Sequence, residues 1–221
     1  MKNILGIDCS SGWTNIGLIK KGKFLGELNI NLGRQQSAGL PGMVEFLLGQ
    51  CGSSLEDLDL IAVTTGPGYF TGIRVGMAYA VSLAEGLGLE IIPLSSLHAT
   101  AYSYLARDHI CISVIWNKKG KVYAGAYLKG MGGLIEDLPH GEYSFEELAM
   151  YRNRVNMPCI CVTPDIERLH LPLQEAGFLD VRHDVIRGSS ITLLASNSLD
   201  RCCHPEEVRA NYLRGPDIGP S

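Results

Sequence analysis

The stretch TTGPGYFTGIRVGMAYAVSLAEGLG, residues 64–88, decides how the rest of the chain is read. It opens on a tight turn, Gly66, Pro67 and Gly68, and runs on as an apolar segment with few interruptions. A dinucleotide loop needs G-x-G-x-x-G, its glycines allowing close approach to a pyrophosphate at a helix start. Gly66 and Gly68 satisfy the first two places, but Thr71 occupies the third and Gly72 comes one residue late. A phosphate loop of the G-x-x-x-x-G-K-[ST] type fails as well, because residues 64–88 contain no lysine. The weaker reading that survives is an anion at the start of a helix after Phe70, with Thr71 as its candidate cap.

The spacing predicts a helix instead. Gly72, Gly76, Ala80, Ala84 and Gly88 stand four apart and form one stripe of very small side chains. Glycine inside a helix costs about 1 kcal/mol relative to alanine, so close backbone approach must compensate. The simplest place for the stripe is the protein's own sheet. Another face presents Val75, Ala78, Tyr79 and Ser82, and from Ile73 to Leu83 the only charge is Arg74. A helix this apolar is buried on more than one side, which makes it a candidate protein interface.

Upstream, residues 4–8, 14–20 and 23–30 read as strands joined by tight turns. A helical pattern follows at Leu40, Met43, Val44, Phe46, Leu47 and Leu48, then a buried strand at 58–64. Downstream come a strand at 90–94 and a helix at 95–106. Near residue 110 the pattern begins again, with strands at 110–116, 122–128 and 133–137. Helices at 144–151, 165–177 and 189–202 and a strand at 159–162 complete it. A repeated β-β-β-α-β-α unit implies an α/β fold of two related lobes, 1–107 and 108–221. The segment from about 205 is expected to return to the first lobe.

With 46% hydrophobic and 19% charged residues, the 221-residue chain has the composition of a soluble globular protein. A net charge of -4 argues against holding nucleic acid unaided. No run is long enough to span a membrane, and the N-terminus lacks a secretory signal, so cytoplasm is the expected location. The seven cysteines include no C-x-x-C pair and fit free thiols. Cys159 and Cys161 share one strand face, where packing is the plainer reading and a metal the sharper one.

No active site is legible. Asp8, with Ser10, Ser11 and Thr14, is equally suited to phosphate or metal contact and to the hydrogen bonds of a turn. The six histidines contain no i, i+4 pair of histidines, and there is no G-x-S-x-G elbow. Ser95, Ser96 and His98 are close in sequence, which is not triad geometry, and Cys9 lacks an evident base. WNKKGKVY, residues 116–123, reads as a solvated lysine-bearing hairpin tip, with a nucleic-acid or partner contact as the alternative.

GIDCSS at 6–11, RQQSAGLPGMVEFLL at 34–48 and above all the 64–88 stretch resemble the TsaB family, also called YeaZ. The likeness is dense over residues 3–105 and returns at VYAGAY (122–127) and NYLR (211–214). It implies the two-lobed actin-like fold of sugar kinases and heat-shock ATPases, a ribonuclease H-like relative. It also implies a non-catalytic accessory role in threonylcarbamoyladenosine synthesis on transfer RNA, with no cofactor. The catalytic paralogue, TsaD, carries a His-x-x-x-His metal pair where this chain has PLSSLHAT at 93–100. Ser96 and Thr100 fall on those ligand positions, and hydroxyls do not replace imidazoles, so no metal is expected there.

By the same resemblance, the chain pairs with the catalytic paralogue through the helix of Leu40, Met43, Val44, Phe46 and Leu47 and that of Val75, Ala78, Tyr79 and Ser82. A small ATPase, TsaE, joins; alone, the chain pairs with itself, and transfer RNA is met through the complex. The alternatives are a peptidase or glycopeptidase, or an ATP-binding phosphotransferase. Departures from the family pattern fall at Trp116–Lys121, at Gln36-Ser37 and at Asn211 before Tyr212.

Overall fold

The computed structural model describes residues 1–131 and 133–211. The last three residues of the NYLR motif, 212–214, lie outside them. Two five-stranded mixed sheets form the frame, ordered β3-β2-β1-β4-β5 and β10-β9-β6-β7-β8. Counted from the first strand of each unit, both sheets have the order 3-2-1-4-5.

The first unit runs β1 (Ile4–Asp8), β2 (Trp13–Lys20), β3 (Lys23–Asn31), α1 (Gln36–Gln50), β4 (Leu60–Thr64), α2 (Phe70–Leu87), β5 (Glu90–Leu94) and α3 (Ser96–Tyr102). The second repeats it as β6 (Ile110–Lys118), β7 (Lys121–Gly130), β8 (Gly133–Ser144), α4 (Phe145–Arg154), β9 (Cys159–Thr163), α5 (Ile166–Glu175), β10 (Asp180–His183) and α6 (Gly188–Ser196). In each, the hairpin-linked strands pair antiparallel and the strands reached through a helix pair parallel. Short turns permit the first kind of pairing, and crossover helices impose the second.

Each unit is therefore one strand and one helix longer than the β-β-β-α-β-α pattern. In the second unit β10 escapes a sequence reading because Asp-Val-Arg-His is a four-residue edge strand, polar and half-exposed. The helix expected over 95–106 ends at Tyr102, and two residues later the Tyr104 hydroxyl donates to Asp184 at 2.7 Å.

The last helix of each unit crosses to the other sheet. From α3, Leu97 and Ala101 pack with Cys111, Ile115, Tyr127 and Val162 of the second unit. From α6, Ile191, Leu194 and Ala195 pack with Ile4, Ile19 and Leu60 of the first. The backbone of Gly188 lies directly on that of Ile16 and Gly17, and the Ser189 amide donates to Glu27 at 2.6 Å. Contact with the first sheet thus begins at α6 and continues further along. Cys203 bridges Ile91, Val208 joins the first core, and the Asn211 amide donates to the Thr65 carbonyl at 2.7 Å. Each unit's closing helix serves the other unit's sheet, so the lobes interlock.

Candidate partner interface and the inter-lobe cleft

The glycine stretch seats α2 on β1. A Cβ at Gly72 would strike the Cys9 carbonyl oxygen, and one at Gly68 the Ser10 carbonyl oxygen. At Gly76 it would stand 3.3 Å from the Cys9 Cβ. Gly72, Gly76, Ala80 and Ala84 are all buried, and Gly88 ends the helix in the left-handed conformation that glycine adopts without strain. The stripe lies on the protein's own sheet. Thr71 does not cap the helix: α2 begins at Phe70, with Tyr69 in the cap position and no side-chain cap hydrogen bond.

With the stripe turned inward, Arg74, Ala78 and Ser82 are exposed, and Val75 and Tyr79 are half-buried. Beside them runs α1, where the sequence reading needs correction. Leu40, Met43, Val44 and Leu47 were expected at a partner surface, yet all four are buried in the first lobe's own core. Only Phe46 of that set faces outward, 57% exposed. The cause is helical phase: the four share one face, and β1 and β2 supply Leu5, Ile7, Ile16 and Leu18 to meet it. Gln36 anchors the start of α1, its amide donating to the Ser11 carbonyl at 3.0 Å and the Trp13 carbonyl at 2.9 Å.

Between α1 and α2 lies an open groove of about 480 Å³, lined by Ser37, Leu40, Phe70, Val75, Ala78 and Tyr79 among others. At one end the Arg74 guanidinium lies 3.8 Å above the Phe70 ring, a cation–π contact that shields its charge. The groove is apolar, reachable from solvent and flanked by aromatic rings, a combination enriched at interfaces.

The cleft between the lobes is different. Its would-be acid, Asp8, is fully buried and holds a turn together. It accepts from the Ser10 amide at 3.0 Å, the Asn15 amide nitrogen at 2.8 Å and the Thr64 hydroxyl at 2.5 Å. The Tyr69 hydroxyl donates to Asp165 at 3.0 Å across the cleft, and the Trp116 amide donates to the other Asp165 oxygen at 2.9 Å. The space left beside Ser10, Tyr69, Thr100 and Asp165 is about 10 Å³. That is room for a single water, where a ligand pocket needs hundreds of Å³.

Nucleophiles fare no better. Burial, reinforced by the charge of Asp8, pushes the Cys9 thiol up to about 12, and burial does the same for Cys111. Both stay protonated at neutral pH and are unreactive. Cys159 and Cys161 lie in the second core. The hydroxyls of Ser95 and Ser96 and the Nε2 of His98 are buried without hydrogen-bond partners, so none activates another. Ser96 is fully buried, and the Thr100 hydroxyl donates to the Ser96 carbonyl at 2.8 Å. In the 116–123 hairpin, Asn117 and Lys121 both engage Glu142, at 2.5 and 2.6 Å.

These features define a class: a two-lobed α/β protein with, among the described residues, an inter-lobe cleft closed beside Ser10, Tyr69 and Asp165, and an outward apolar groove on its first lobe. Within that class the chain is similar to TsaB proteins in sequence over part of its length and to YeaZ structures in fold. Residues 31–139 match the model of the TsaD family, described as tRNA N6-adenosine threonylcarbamoyltransferase. The TsaB protein of Bacillus subtilis, a tRNA threonylcarbamoyladenosine biosynthesis protein, is 32% identical over 135 residues, 61% of this chain and 58% of the relative. The chain thus spans about three fifths of the length of the TsaB proteins of Bacillus subtilis and Buchnera aphidicola that it matches. YeaZ from Pseudomonas aeruginosa superposes with a TM-score of 0.79 at 21% identity, over 96% of this chain and all of that one. A second Pseudomonas aeruginosa structure, of an uncharacterized protein with similarity to peptidase YeaZ, gives 0.83 at 21% identity, over 97% and 100%. At that identity the two structures establish the fold. Among the described residues, no helix is long and apolar enough to cross a membrane.

Proposed function

We propose that this chain is a non-catalytic scaffold for threonylcarbamoyl transfer to adenosine 37 of transfer RNA, working in the cytoplasm by pairing with a TsaD-like catalytic paralogue. The groove between α1 and α2 is the observation that carries this reading, and its occupant is a helix face of that paralogue. A TsaE-like ATPase joins the pair, transfer RNA is engaged through the assembly, and without the paralogue a second copy occupies the same face. The buried, protonated Cys9 and the 10 Å³ left in the cleft favour this over a peptidase or a phosphotransferase.

Co-purification with the catalytic paralogue tests it, comparing wild type with Val75→Asp and Tyr79→Asp. An unpaired carboxylate forced into an apolar interface costs several kcal/mol. Each variant should lose at least about 100-fold in affinity, about 2.8 kcal/mol, while its own melting stays near wild type. Leu171→Asp, on the exposed face of α5, serves as the matched control and should assemble normally. Normal assembly of both α2 variants would remove the interface from this face, and transfer by the purified chain alone would end the scaffold reading.

A further inference from the structure

Away from the groove and the cleft, three side chains converge that no spacing in the sequence announces. His98 stands in α3, while Glu136 and His140 lie in β8. In a regular strand, residues four apart are about 13 Å from each other. Here the Glu136 Oε1 accepts from both the amide and the Nδ1 of His140, at 2.9 and 2.8 Å. Two irregularities in the β7–β8 pairing, between Ala124 and Ala126 and between Ala126 and Tyr127, bulge β8 between Glu136 and Gly141 and shorten the distance from Glu136 to His140. Bulges of this kind re-aim side chains, and Pro139, which has no amide hydrogen to donate, sits within the bulged stretch.

The third member completes the cluster. The His98 Nε2 lies 3.7 Å from the Glu136 Oε1, beyond hydrogen-bond reach, and is buried with no partner. Its ring stands edge-on to Tyr127 at 4.9 Å and to His140 at 5.4 Å, which fixes its orientation. One donor atom from each of the three residues falls within 4.8 Å of the others. We propose that His98, Glu136 and His140 form a site for a divalent transition-metal ion of the zinc class.

The donor set is two imidazoles and one carboxylate, the set of a three-ligand zinc site that keeps a fourth position open. Bond lengths near 2.0–2.2 Å place tetrahedral donors roughly 3.4 Å apart, and the two separations from the Glu136 Oε1, 2.8 Å to the His140 Nδ1 and 3.7 Å to the His98 Nε2, bracket that value. A metal would draw His98 inward and part His140 from Glu136. A buried nitrogen left without a partner is costly, and a metal would supply the partner that the His98 Nε2 lacks. His98 also lines an open groove of about 690 Å³, which gives an ion and its fourth ligand, a water, a way in. Lys129 and Arg201 on that groove's wall oppose a cation, so the carboxylate of Glu136 is the indispensable charge. The site is separate from Ser96 and Thr100, whose hydroxyls supply nothing comparable.

The test is a Zn²⁺ titration of the full chain by calorimetry after chelator treatment, repeated with Co²⁺ to read the absorption spectrum. Wild type should bind one ion with micromolar or tighter affinity, and the cobalt spectrum should show a tetrahedral site without thiolate charge transfer. Glu136→Gln and His140→Ala should each lower affinity at least about 100-fold, more than loss of a mere outer-shell partner. Metal-free melting of both variants shows whether they remain folded, and His140, at the edge of the cluster, is the gentler change. His183→Ala, an exposed histidine elsewhere, should bind like wild type. No uptake by wild type, a thiolate spectrum, or wild-type affinity in both Glu136→Gln and His140→Ala would each overturn the site.

Discussion

Helices α2 and α5 hold the same place in the two units, each joining the parallel strands that follow the hairpin, yet they are built on opposite plans. On its inner face α2 has Gly72, Gly76, Ala80 and Ala84, and its backbone sits against β1. At the same spacing of four, α5 has Leu169 and Leu173, both fully buried, which hold its backbone off the sheet. The outer faces are reversed as well. Past Arg74, α2 shows Val75, Ala78, Tyr79 and Ser82 and carries no charge until Glu85, whereas α5 exposes Glu167, Arg168, His170, Gln174 and Glu175 around a single exposed leucine, Leu171. One topology thus supports two kinds of surface. A large inner face with a charged outer one makes a helix that ends at solvent, and a small inner face with an apolar outer one makes a helix with something left to bury.

The sharpest way to break this contrast is to give α2 the inner face of α5. Gly72→Leu drives a side chain into the Cys9 carbonyl, at the end of a strand paired on both sides, so no rotamer relieves it. The expected loss is at least about 3 kcal/mol, or failure to recover soluble protein, read by chemical denaturation. A stable Gly72→Leu would mean that α2 does not need its close seat. The reverse change, Leu169→Ala, leaves a cavity where α5 stands off from its sheet and should cost about 3 kcal/mol by the same measurement. Because the two helices belong to interlocked lobes, both losses are expected in a single cooperative transition.

Much of this was open to a sequence reading. The strand boundaries of the first unit, the doubled pattern and the inward stripe all follow from local periodicity, and the glycine spacing alone separated a packed helix from a phosphate loop. What escaped depends on contacts between distant residues. The face that α1 turns outward could not be settled by its apolar residues, because Leu40 and Phe46 are equally apolar and only the position of β1 and β2 decides between them. The closing of the cleft rests on Tyr69 and Asp165, 96 residues apart. The cluster of His98 with Glu136 and His140 depends on bulges in β8, for which Pro139 within an otherwise alternating strand was the one available signal. Strand β10, polar and at an edge, had no hydrophobic run to betray it.

The smallest predicted effect joins the two helices that the comparison sets apart. Tyr69 stands in the cap position of α2 and Asp165 in that of α5, so the bond between them ties the two helix starts together across the cleft. Removing the hydroxyl in Tyr69→Phe leaves Asp165 its bond from the Trp116 amide, so the loss should be only about 1 kcal/mol at neutral pH. The pH dependence is more telling than the magnitude. Partial burial, and then the charge of Asp165, raises the Tyr69 phenol above its ordinary value of 10. A group held neutral in the folded state contributes fully below the unfolded value and loses that contribution as pH rises through the folded one. Wild type should therefore weaken on the alkaline side of pH 10 more steeply than Tyr69→Phe, in denaturation curves taken across that range. If the two curves stay parallel, Tyr69 and Asp165 do not hold the lobes together, and the closed cleft must rest on the exchange of α3 and α6 alone.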